Sequence, residues 1–202
     1  MRKQKRNIVG CCIGLLAMCL LSIVPVTEAS PVVIASYTGP TNYNYYVGYG
    51  SSGYITQSIG QSFIIPQFPV GNSCIIKEIT LRLGKSRCTS NGYLQIQVWK
   101  INEYGIPFIS PYLNLCIPAS SITTIISPCL KPFTIISLWN IQFHPGNYAI
   151  VLTTFNVEIA VRGLNGYNLY SGGALLTQGA HYMPWIVNPT SDLSFLIRAE
   201  PV

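Results

Sequence analysis

The stretch that most constrains this 202-residue chain is TIISLWNIQFHPGNYAIVLTTF, running from Thr134 to Phe155. Trp139, Ile141 and Phe143 alternate with Asn140 and Gln142, the period-two pattern of a strand with one apolar and one polar face. Tyr148 to Leu152 is a continuous apolar run, as in a central strand covered on both faces. Between them stand His144, Pro145, Gly146 and Asn147. Proline lacks an N–H and glycine tolerates positive φ, so the spacing predicts a tight turn and a hairpin.

The same alternation recurs along the chain. Ile75, Ile79, Leu81 and Leu83 oppose Glu78, Thr80 and Arg82, and Leu94, Ile96 and Val98 oppose Tyr93, Gln95, Gln97 and Trp99. Gly60 to Ile65 reads as a short strand ended by Pro66. Asn102 to Pro118 reads as a Pro-rich connection, and Ser120 to Ile126 as an edge strand. Val157, Ile159 and Val161 then alternate with Glu158 and Arg162, a short strand is expected near Tyr182 to Val187, and Leu193, Phe195 and Ile197 close the pattern. No segment after residue 29 has helical periodicity. The expectation is an all-β antiparallel sandwich of jelly-roll type, with eight to ten strands in one domain spanning residues 30–202.

Composition enters through the N-terminus. Arg2, Lys3, Lys5 and Arg6 precede an apolar run from Ile8 to Val26, and Thr27-Glu28-Ala29 offers a small-residue cleavage site. This is the layout of a secretory signal peptide over residues 1–29, with a retained membrane anchor as the alternative. An exported, extracellular domain follows from it, touching a membrane only through an uncleaved leader. Beyond the leader stand eight basic and five acidic residues, a net charge of +3. Only Arg82, Lys85 and Arg87 cluster, so a nucleic-acid partner is excluded for want of a basic face.

Four cysteines follow the leader: Cys74, Cys88, Cys116 and Cys129. An even count in an exported domain predicts two disulfides. Cys74 and Cys88 flank one extended strand, too far apart for a bond that holds its Cα atoms within about 7 Å. The bonds are therefore expected to cross from this pair to Cys116 and Cys129, in either of two patterns.

Chemistry is sparse. Glu78, Glu103, Glu158, Asp192 and Glu200 are the carboxylates beyond the leader, and His144 and His181 the only histidines. No serine sits in an elbow of the G-x-S-x-G kind, and no spacing suits zinc or calcium, so neither enzyme activity nor a metal or cofactor is expected. A glycan hydrolase, with two carboxylates across a cleft, is the third-ranked alternative. Asp192, just before the last strand, is expected to cap a turn through backbone N–H groups.

Aromatic side chains remain. The strip Tyr93, Gln95, Gln97 and Trp99 combines flat rings with amides on one strand face, which suits a sugar or, alternatively, cross-strand packing. Tyr182 and Trp185 are added to this candidate ligand set, with Trp185 read as either rim or core.

Taken together, Gly60-Gln61-Ser62-Phe63, the Trp139–Phe143 strand with Pro145-Gly146-Asn147-Tyr148-Ala149-Ile150, Tyr170-Ser171-Gly172-Gly173, Trp185 and Asp192-Leu193-Ser194-Phe195 resemble the secreted choice-of-anchor domains of microbial surface proteins. The resemblance implies a jelly-roll-like fold and an extracellular address, and no catalytic residues. The reading that results is a non-enzymatic surface-binding or adhesion module whose partner is a carbohydrate or surface polymer. The rival is a filament or layer subunit that binds copies of itself by strand addition.

Overall fold

The computed structural model describes residues 30–48, 58–69, 71–85, 91–108, 110–125, 130–136, 140–179 and 183–202. Residues 1–29, Trp139, Cys88, Cys129, His181 and Tyr182 lie outside the described residues. In chain order the strands are β1 (Val32–Tyr37), β2 (Tyr43–Val47), β3 (Ser58–Ile65), β4 (Cys74–Lys85), β5 (Tyr93–Lys100), β6 (Leu113–Pro118) and β7 (Lys131–Ile136). There follow β8 (Gln142–Phe143), β9 (Gly146–Phe155), β10 (Ile159–Asn165), β11 (Leu175–Gln178), β12 (Ile186–Asn188), β13 (Ser191–Leu193) and β14 (Phe195–Pro201). Among the described residues the only helical element is a 3-10 turn at Ala119–Ser121.

These strands make two antiparallel sheets. The eight-stranded sheet runs β1-β14-β4-β10-β13, with β2 on β10 and both β7 and β8 on β4. The six-stranded sheet runs β12-β11-β3-β9-β5-β6. Packed together they form the β-sandwich that the period-two pattern predicts. One sheet contributes Ile79, Leu81, Leu83, Ile159, Val161, Phe195 and Ile197 to the core, and the other Phe63, Leu94, Ile96, Val98, Tyr148, Ile150 and Leu152. Of the core residues expected from parity, Leu81, Ile96, Phe143 and Phe195 are all there, each at most 2% exposed.

The central run behaves as read, but the hairpin does not. β9 lies between β3 and β5, with Tyr148, Ile150 and Leu152 in the main core and Ala149 and Val151 in a second cluster on the other face. β8, however, pairs with Cys74 and Ile75 of β4 rather than with β9. The turn at His144 carries the chain from one sheet to the other, a sandwich corner with local turn chemistry like a hairpin's. The Tyr148 hydroxyl donates to the His144 carbonyl at 3.0 Å and closes that corner.

Three more expectations are corrected. Asn102 to Pro118 is not all connection, because β6 forms within it as an edge strand on β5. Of the expected strand Ser120 to Ile126, the described residues up to Ile125 form no strand; they hold part of the 3-10 turn and an isolated bridge from Thr124 to Lys85. Ile75 does not share a face with Ile79. Opposite β14 the register steps from Glu78–Arg198 to Ile76–Ala199, so Lys77 is the extra residue of a β-bulge. The bulge inverts parity and turns Cys74 and Ile76 into the core. Lys77 itself pairs with Glu200 at 2.9 Å.

That inversion also disposes of the crossing disulfides. Both patterns need Cys74 and Cys116 in bonds, and both are free thiols. Cys74 is fully buried between the sheets, where burial pushes its thiol up to about 11. Cys116 stands exposed on edge strand β6 of the other sheet. Side chains aimed in such different directions cannot be bridged. The narrower expectation holds, that Cys74 is not bonded to Cys88: β4 is one continuous strand.

Candidate functional site

The candidate site is the outer face of the six-stranded sheet, and β5 supplies its axis. Leu94, Ile96 and Val98 are fully buried, so the pleat turns Tyr93, Gln95, Gln97 and Trp99 to the opposite side. Tyr93 is 39% exposed and the other three are half-buried. Register brings their neighbours into line. β6 places Pro118, Cys116 and Asn114 beside Tyr93, Gln95 and Gln97. β9 places Phe155, Thr153, Val151 and Ala149 beside Tyr93, Gln95, Gln97 and Trp99.

The face has three zones. At one end the rings of Tyr93 and Phe155 stack with centroids 5.4 Å apart and planes 23° apart, and Phe155 is 54% exposed. In the middle the Gln95 amide donates to Asn114 Oδ1 at 2.8 Å. Beside it the Trp99 indole N–H donates to Gln97 Oε1 at 3.1 Å. At the far end Trp99, Ile101, Trp185 and Val187 pack over Ala149, Val151 and Leu176. The floor there is kept low by Gly60, where a Cβ would come within 2.7 Å of the Ile150 carbonyl oxygen.

Of the sequence-expected ligand residues, the structure gathers Tyr93, Gln95, Gln97 and Trp99 on one face and adds Trp185 beside Trp99. Tyr182 lies outside the described residues. Phe155 and Asn114 complete the face and were not foreseen. Phe155 had a signal, since it continues the outward set 149, 151 and 153 of β9. Asn114 had none while residues 102–118 read as a connection.

The other chemical candidates have structural roles. His144 Nδ1 lies 3.1 Å from the Asn72 carbonyl oxygen, as befits a turn residue. Asp192 accepts from the backbone N–H groups of Leu169 and Tyr170 at 3.2 and 3.1 Å, the capping role expected of it. Glu78 lies 3.5 Å from Arg198 across the β4–β14 pair. Among the described residues no cluster of His, Cys, Asp and Glu could hold a metal ion. No helix among them is long and apolar enough to cross a membrane.

No protein family matches the chain, and neither does any curated protein or solved structure. The functional reading therefore rests on the fold and on this face.

Proposed function

We propose that the chain is an exported, non-enzymatic binding module that holds a carbohydrate on the outer face of its six-stranded sheet. One observation carries the reading: exposed rings and side-chain amides occupy consecutive outward positions of adjacent strands. A flat ring covers the apolar face of a pyranose and removes it from water, at about 25 cal/mol per Å² of apolar surface buried. Amides satisfy the hydroxyls around the sugar's rim. Among the described residues the face bears no carboxylate, whereas a glycan hydrolase needs two across a cleft.

The rival reading, a subunit that polymerises by strand addition, calls for a detached N-terminal strand. Here β1 pairs with β14 of its own chain from Val32 to Tyr37, which favours the binding module.

A glycan array tests the proposal with wild type and Tyr93→Ala. Tyr93 is well exposed, so the variant keeps its fold. Affinity for the bound glycan is expected to fall about tenfold, the loss of about 1.4 kcal/mol. Unchanged binding by Tyr93→Ala removes the sheet face from the mechanism.

A further inference from the structure

We infer that the ligand is an uncharged, linear oligosaccharide, gripped in its middle through two adjacent hydroxyls by Gln95 and Asn114. The inference rests on the carbohydrate-binding reading above and assigns it a chemical class. Across the six strands, the outward positions in register with Tyr93 to Trp99 are Asn114, Cys116, Pro118, Ala149, Val151, Thr153, Phe155, Ser58, Gly60, Ser62, Leu176, Gln178 and Val187. None is acidic or basic. At these positions a uronate or sialate would give up water around its charge and meet no cation among the described residues, an uncompensated desolvation. Neutral hydroxyls lose nothing comparable, because amides replace their water.

The amides are set for this task before any ligand arrives. Gln95 donates to Asn114 Oδ1, which fixes both planes. Gln95 Oε1 is left as an acceptor and the Asn114 amide as a donor, neither hydrogen-bonded to another described residue. One sugar hydroxyl donates to Gln95 Oε1 while its neighbour accepts from the Asn114 N–H. Gln97, held at its Oε1 by the Trp99 indole, keeps its own N–H groups for the next ring. The path from Tyr93 to Trp99 covers six residues, about 20 Å at roughly 3.3 Å each. That length suits a chain of several rings, with the exposed Tyr93 and Phe155 rings at one end, better than a single sugar.

Isothermal titration calorimetry of the purified protein decides the matter. The probes are neutral gluco-, xylo-, manno- and N-acetylglucosamine oligomers of graded length, beside oligogalacturonate and sialyllactose. A neutral oligomer is expected to bind, about tenfold tighter than its monosaccharide. Its affinity should be the same at low and at about 0.5 M salt, where exposed charges are screened. Gln95→Ala and Asn114→Ala should each weaken it about tenfold with an unchanged Tm. Binding confined to the anionic probes, or affinity that collapses with salt, overturns the neutral class and leaves the carbohydrate reading standing. Neutral binding that ignores both substitutions overturns the amide grip alone. Binding to none of the probes overturns this inference together with the reading beneath it.

Discussion

Phe195→Ala is expected to lower stability by about 3–5 kcal/mol, the usual cost of truncating a buried phenylalanine. The ring is 2% exposed and sits where β14 lies between β4 and β1, in register with Leu81 and Tyr37. The Tyr170 ring meets it edge-on, with centroids 5.1 Å apart and an interplanar angle of 85°. Strands on both sides and a ring from the 163–174 segment therefore enclose the site, which leaves little room for the structure to collapse into the void. Chemical denaturation measures the loss. A change under about 1 kcal/mol would mean that the β14 register, and with it the whole inward set Leu193, Phe195, Ile197 and Ala199, is wrong.

The second large effect is expected at Asp192. This carboxyl is fully buried, and it holds two sheets and a loop together. Leu169 and Tyr170 N–H donate to Oδ2, and Gln61 Nε2 donates to Oδ1 at 3.2 Å. The other end of the same Gln61 amide accepts from Leu193 N–H at 2.7 Å. Asp192→Ala strands three donors, each at about 1–3 kcal/mol, so a total loss of about 3 kcal/mol or more is expected. Burial raises the carboxyl above its ordinary value of 3.8, and the hydrogen bonds from Tyr170, Leu169 and Gln61 offset only part of that. The sign of the pH effect follows. Between the ordinary and the raised value the folded state binds the proton more tightly than the unfolded state. Stability therefore falls as pH rises through that window, and the penalty is complete above it. Asp192→Asn abolishes this slope. Parallel denaturation curves of wild type and Asp192→Asn across the acid range would contradict the assignment.

Much of this was legible from pattern because one physical rule, the period-two pleat, governs both burial and exposure. Val98 and Trp99 are adjacent residues assigned to opposite faces, and they lie there. The rule fails where the chain departs from a regular pleat. Lys77 bulges, and every residue before it in β4 changes side, which no alternation of Ile and Lys announces. Pairing partners were less legible than strands. The run through Pro145 and Gly146 has the composition of a hairpin turn, and nothing local says that β8 closes on β4 instead. Gln61 is the instructive case within the core. It occupies an inward position between Ile59 and Phe63, and a polar residue there signals a buried partner, though not that the partner is Asp192 on the opposite sheet. Two of the motifs quoted for the choice-of-anchor likeness, one around Gln61 and one around Asp192, meet in a single hydrogen-bonded clamp. The binding face was half legible, because β5 announces itself while Asn114 and Phe155 depend on which strands flank it.

Side-chain NMR of the protein titrated with the neutral oligosaccharide that binds it tests the central claim most directly. The account predicts saturable shifts of the Gln95, Gln97 and Asn114 side-chain amides and of the Trp99 indole N–H. The buried Gln61 amide, on the inner side of the same sheet, should stay still. Shifts confined to the eight-stranded sheet, with Gln95, Asn114 and Trp99 unmoved, would contradict it.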